Sequence, residues 1–126
     1  MKEFTRLFGL CLVAVLVVSC ATAMQGRFSM LGQSYPPKPA GFDVQIFRDD
    51  LPKRPYVKIS RLIVHIERTL MGGSSSIEDA LPELKEQARL SGADAIIDIQ
   101  QSVSSVAAET EIFNVTATGI RYTSPQ

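Results

Sequence analysis

YVKISRLIVHIERT, residues 56–69, decides the fold class. Fourteen residues rich in β-branched side chains, with no Gly or Pro, read as one long strand. Tyr56, Leu62, Val64 and Ile66 point one way, and Val57, Ile59, Ile63, His65 and Glu67 the other. Both faces are partly apolar, so the strand belongs inside a sheet rather than at its edge. Downstream, Gly72-Gly73-Ser74-Ser75-Ser76 reads as a flexible loop. Ser76 and Asp79 form a capping pair in which Asp replaces the usual Glu. Ile77, Ala80, Leu81, Leu84 and Ala88 then recur at helical spacing. Pro82 is best tolerated in a first turn, which predicts a regular helix from about Asp79 to a stop at Gly92.

AIIDI (95–99) is a third strand and IFNVTATGIRY (112–122) a fourth, with the polar stretch 102–111 as a hairpin connection with frayed ends. In the last strand Phe113, Val115, Ala117 and Gly119 share one face, the small pair predicting close approach of the helix. Asn114, Thr116 and Thr118 share the other face, together with Tyr122, and nothing in the sequence covers it. Upstream, FDVQIFR (42–48) alternates as a first strand, followed by turn residues 49–55. The expectation is an α+β domain over 42–126, in β-β-α-β-β order, with one helix on one face of a small sheet.

The N-terminus reads as an address. Lys2 and Arg6 precede an apolar run, LFGLCLVAVLVV, over residues 7–18. Twelve helical residues span roughly 18 Å, short of the roughly 30 Å that a membrane span covers. Residues 1–19 therefore read as a signal peptide. Val17-Val18-Ser19-Cys20 resembles a bacterial lipobox, in which the Cys thiol forms a thioether to diacylglycerol. Ala21-Thr22-Ala23 offers a rival A-x-A cleavage site that would release a soluble product, and an uncleaved anchor is a third reading. With Cys20 acylated, the residue after it is Ala21 and not Asp. By resemblance to sorting in bacteria with two membranes, this points to the outer membrane, facing the periplasm. The membrane is then a partner through the lipid on Cys20.

Residues 20–41 follow without helical or strand period, and Pro36, Pro37 and Pro39 favour an extended chain. They read as an acylated Cys and a Pro-rich tether, able to reach on the order of 65 Å. Docking of Tyr35-Pro36-Pro37-Lys38-Pro39 by a partner is the sharper alternative, and Met24, Phe28, Met30 and Leu31 lying in the lipid interface is another.

Composition narrows function. The chain has 126 residues, 13 Lys+Arg against 13 Asp+Glu, one His, two Cys and no Trp. Length allows one domain. Neutral overall charge argues against nucleic acid as a partner. One His and two Cys exclude most metal cages and any multi-disulfide scaffold, and no metal or other cofactor is implied. Asp94, Asp98 and Glu67 are the candidate acid pair or cation ligands, although Asp94 also suits the start of a strand, and Asp98 a pair with Arg61 or Arg121. His65 alone reads as structural or surface. Asn114, Thr116 and Thr118 are candidate binding residues.

Pro55-Tyr56 opening a long strand, Leu84-Lys85-Glu86-Gln87-Ala88 in the helix, Gly92-Ala93-Asp94-Ala95-Ile96-Ile97, and Thr116-Ala117-Thr118-Gly119-Ile120-Arg121 together resemble the small YbjQ-like domain. They are also similar to the periplasmic domain of Rcs envelope-stress sensor lipoproteins. The resemblance covers about residues 42–122. It implies a compact α+β domain that, in the sensors, contacts envelope proteins. In other YbjQ-like proteins it forms rings without a settled activity. The sensors' domain carries disulfide-forming cysteines and residues 42–126 have none, so the redox-stabilised role does not carry over. The function expected is an outer-membrane-anchored binding or sensing lipoprotein without catalysis, with envelope proteins as partners. The alternative is a self-assembling, small-molecule-binding or enzymatic domain that uses interface carboxylates.

Overall fold

The computed structural model describes residues 22–69, 75–107 and 110–124. Among the described residues five strands and one helix make an α+β fold: β1 (Ala23–Met30), β2 (Gln45–Ile46), β3 (Tyr56–Thr69), α1 (Ile77–Ser91), β4 (Ala95–Ala107) and β5 (Thr110–Tyr122). The sheet order is β1-β3-β5-β4-β2. β2 pairs parallel to β4, and the other neighbours are antiparallel. Among the described residues no helix is long and apolar enough to cross a membrane. The signal peptide and Cys20 expected from the sequence lie outside the described residues.

The α+β class holds, but the order β-β-α-β-β does not. The added strand is β1, which comes from the segment read as a tether. AMQGRFSM pairs residue for residue with β3, from Ala23 opposite Glu67 to Met30 opposite Ser60. Met30 packs against the core, whereas Gln25, Arg27 and Ser29 are exposed. The Pro-rich part is no free spacer either. The Lys38 N–H donates to the Arg89 carbonyl at 2.9 Å, and the Arg89 guanidinium returns a bond to the Lys38 carbonyl at 2.8 Å. Tyr35 packs on the core cluster. These contacts seat the Pro-rich segment against the protein's own helix end. Residues 22–41 thus belong to the folded unit, and 42 is not its boundary. The first strand expected over 42–48 shrinks to Gln45–Ile46, with Phe47 N–H still bonding the Ile96 carbonyl at 2.9 Å.

Helix α1 follows from its punctuation. The Ser76 backbone N–H donates to the Asp79 carboxylate at 2.8 Å, so the expected capping pair forms with Asp in the Glu position. Helical residues begin at Ile77, two earlier than expected, and Pro82 sits beyond the first turn. Pro82 and Glu78 are both exposed, so the carbonyl left without a proline N–H partner belongs to a surface residue. Ala80, Leu84, Ala88 and Ser91 face inward at helical spacing. Gly92 ends the helix at φ +84°, a conformation that costs a residue with a Cβ more than it costs Gly.

The main core lies between α1 and one face of the sheet, built from Leu62, Val64, Ile66, Phe113, Val115, Ile96 and the helix residues. A smaller cluster on the opposite face joins Ala95, Ile97 and Ile120 to Phe47, Tyr56 and Tyr122. At one point the helix end presses close. A Cβ at Gly119 would collide with the Ser60 hydroxyl and lie 3.1 Å from the Ala93 methyl. The Ser60 and Ser91 hydroxyls are themselves hydrogen-bonded at 2.9 Å, and Ser91 donates to the Ala88 carbonyl at 2.8 Å. The small residue at 119 is therefore explained by this buried serine pair and the turn after α1. The connection expected over 102–111 is mostly strand: β4 continues to Ala107 and β5 starts at Thr110.

Candidate functional site

One sheet face is covered by α1, and no described element packs across the middle of the other. Pairing aligns its residues in rows. Gln25, His65, Asn114 and Ser102 form one row across β1, β3, β5 and β4; Arg27, Ile63, Thr116 and Gln100 form the next. A shallow groove of ≈ 470 Å³ is lined by Gln25, Arg27, Ile63, His65 and Asn114. A smaller depression of ≈ 210 Å³ adjoins Thr116 and Thr118, with Arg61, Asp98 and Gln100. The alternation of β5 puts Asn114, Thr116 and Thr118 on this face because Phe113, Val115 and Ala117 are drawn into the core.

His65 is the most elaborated group in the groove. Its Nδ1 lies 2.7 Å from Asn114 Oδ1 and its Nε2 lies 3.1 Å from Glu67 Oε1. Both partners are acceptors, so the ring with a proton on each nitrogen is the form they favour. The hydrogen bond to Glu67, then that to Asn114, raises the His65 pKa above its ordinary 6.5. The sequence reading places His65 as structural or surface and does not reach these contacts. The available signal was positional: Glu67 stands two residues along the same strand and so shares its face.

The carboxylates do not converge. Glu67 lies beside His65 near one end of β3. Asp94 lies just before β4, toward the opposite end of the sheet. It accepts the Tyr122 backbone N–H at 2.9 Å and pairs with Lys38 Nζ at 2.9 Å. Asp98 pairs with Lys58 at 3.8 Å, not with Arg61 or Arg121. The reason is an irregularity in β4 between Ile97 and Gln100, where Asp98 takes φ +53° and the alternation is broken. An acid pair or a shared cation site built on Asp94, Asp98 and Glu67 therefore does not form. Among the described residues no group of three or more His, Cys, Asp or Glu is placed to hold a metal ion.

A second concavity, of ≈ 490 Å³, opens at the end of the sheet away from Ala23. Lys38, Arg54, Asp94, Arg121 and Tyr122 line it. The Arg54 guanidinium stacks 4.0 Å from the Tyr122 ring centre, and Arg121 lies 4.5 Å from that of Tyr35. The sequence alone does not show this site, because the prolines beside Tyr35 and Lys38 read as a tether.

Comparison with known proteins leaves the geometry to speak for itself: no family model, curated protein or solved structure matches the chain.

Proposed function

We propose that this protein is a lipid-anchored lipoprotein of the bacterial envelope, held at the outer membrane by acylated Cys20, whose domain is a non-catalytic binding or sensing module facing the periplasm. The observation that carries the binding half is the polar sheet face bearing His65, Asn114, Thr116 and Thr118, opposite the face that α1 covers. The lipobox ending at Cys20 supports the anchoring half. Hydroxyl and amide groups on a rigid sheet offer many donors and acceptors with fixed spacing, which suits an envelope polypeptide better than a buried small substrate. Binding is favoured over catalysis because Asp94, Asp98 and Glu67 go to separate partners instead of one reacting centre. The exposed edge of β1 leaves room for self-association as well.

Two measurements test the reading. Cys20→Ala should abolish incorporation of labelled fatty acid and alter processing of the signal peptide; a variant that stays fully membrane-associated and is processed as before refutes anchoring. A photo-crosslinking residue at position 116 should give a discrete envelope-protein adduct in cells, and the same residue at exposed position 86 on α1 should not. An adduct from 86 alone assigns binding to the helix face and refutes the role of the open one.

A further inference from the structure

The concavity at the end of the sheet away from Ala23 has a chemistry the open face lacks. Three cations and two carboxylates line it, leaving one net positive charge. The charges are not equivalent. Lys38 is neutralised by Asp94 at 2.9 Å and lies over the Phe42 ring. Asp43 has its own cation, Lys85, at 3.6 Å. Arg54 and Arg121 have no carboxylate partner among the described residues. Arg54 gives one N–H to the Ser124 carbonyl at 2.7 Å, and its guanidinium carbon lies 4.0 Å from the Tyr122 ring centre. Arg121 rests on Tyr35.

A ring face restrains a guanidinium without taking up its N–H groups, so those not bonded elsewhere stay available to a ligand. A planar fork of donors held in place is matched by the oxygens of a carboxylate or phosphate, which it binds bidentately. The ring supports are held in turn. The Tyr122 backbone is tied to Asp94, its hydroxyl donates to Gln45 at 2.8 Å, and Tyr35 packs against Gly92 and the core. Pre-formed donors lose little entropy on binding. We infer that this pocket is an oxyanion site, in which Arg54 and Arg121 bind a carboxylate or phosphate group. The assignment does not depend on Cys20 being acylated.

The test uses the full chain, ¹⁵N-labelled, in zwitterionic detergent micelles. The Arg54 and Arg121 Nε–Hε signals are followed during titration with inorganic phosphate and, separately, with succinate at constant ionic strength. The expected result is a saturable shift of both signals with a midpoint of about 1 mM or tighter, weakened by added salt. Arg54→Gln and Arg121→Gln should each weaken binding by about tenfold or more, and Arg48→Gln, whose partner is Glu78, should not. Vesicles of phosphatidylcholine with and without phosphatidylglycerol separate the sources. If the anionic vesicles alone broaden the two arginine signals, the oxyanion is a lipid headgroup; a response to phosphate or succinate without one to vesicles makes it a soluble or polymer-borne group. If neither small anion nor vesicle moves these signals, or if Arg48→Gln weakens binding as much as the pocket variants, the assignment is overturned. Where a pocket variant loses its dispersed amide spectrum, the wild-type shift map decides: it must centre on Arg54 and Arg121, and a map centred on His65 and Arg27 refutes the site.

Discussion

His65 Nδ1 stands 2.7 Å from Asn114 Oδ1 on the next strand, with the other ring nitrogen 3.1 Å from Glu67. A neutral ring can donate to only one of these two acceptors, so protonation completes the set. The folded pKa is raised above 6.5, first by Glu67. A raised pKa means that the folded state binds the proton more tightly. This contribution to stability is fully present below the unfolded value near 6.5, and is lost as pH rises through the folded value. The expected outcome is an imidazole titration above 6.5 by NMR, lowered in Glu67→Gln together with the corresponding pH dependence of stability. A midpoint at or below 6.5, or one indifferent to Glu67→Gln, contradicts the geometry.

Gly119 and Ser60 compete for one space. Gly119→Ala should destabilise by about 1–3 kcal/mol, because its new methyl meets the Ser60 hydroxyl and the Ala93 methyl. Ser60→Ala removes that hydroxyl while Ser91 keeps its bond to the Ala88 carbonyl. The double variant should therefore be more stable than Gly119→Ala alone. Urea unfolding of all four proteins measures the coupling; strict additivity would show that a methyl at 119 and the Ser60 hydroxyl do not compete for this space.

At Gly92 two demands coincide. Its φ is +84°, and a Cβ would lie 2.7 Å from the Pro36 carbonyl oxygen and 2.8 Å from Tyr35 Cβ. Gly92→Ala should cost about 1–3 kcal/mol from backbone strain alone, and more if the proline segment cannot retreat. Thermal unfolding reads the loss. The Lys38 amide proton should exchange faster in the variant, since its bond to the Arg89 carbonyl belongs to the segment that is displaced.

Removing residues 1–41 deletes β1 and the segment that seats Tyr35 and Lys38. The shortened chain should unfold at least about 10 °C below one starting at Thr22, on the scale of 4–8 °C per kcal/mol for a domain this size. It should also expose the β3 edge and associate. Equal melting temperatures for the two chains would mean that β1 adds nothing to the fold.

The readable parts of the sequence were those in which one residue type has one physical use. Ser76 with Asp79, and Gly92 after an apolar stripe, mark the two ends of α1 because few other residues satisfy those backbone groups. The apolar alternation of β5, and of β3 from Leu62 to Ile66, is similarly direct; at the irregularity between Lys58 and Ser60 it fails, with Ile59 in the main core and Tyr56 in the opposite cluster, against the expected faces. β1 was harder. Met24, Phe28 and Met30 do alternate with Gln25, Arg27 and Ser29. Gly26 interrupts the apolar side, though, and nearby prolines suggest an open chain. The β4–β5 extension hid because Ser102, Ser104 and Ser105 are exposed, so burial leaves no pattern. Asp98 was misassigned because a strand irregularity shifts partners without a compositional mark. The pocket of Arg54 and Arg121 depends on three distant segments meeting, which local pattern does not encode.

The early start of β1 bears on movement. From Cys20 to Ala23 is three peptide steps, about 10 Å when fully stretched. The 14 residues of β3 span roughly 45 Å. On the proposed anchoring, the leash is much shorter than the body it holds. Such a body pivots about its foot and drifts with the lipid, but it cannot cast outward into the compartment. Encounters would then take place in a thin layer against the membrane, with the arginine pocket swinging at the far end of the arm and the strand end at Ala23 always beside the surface.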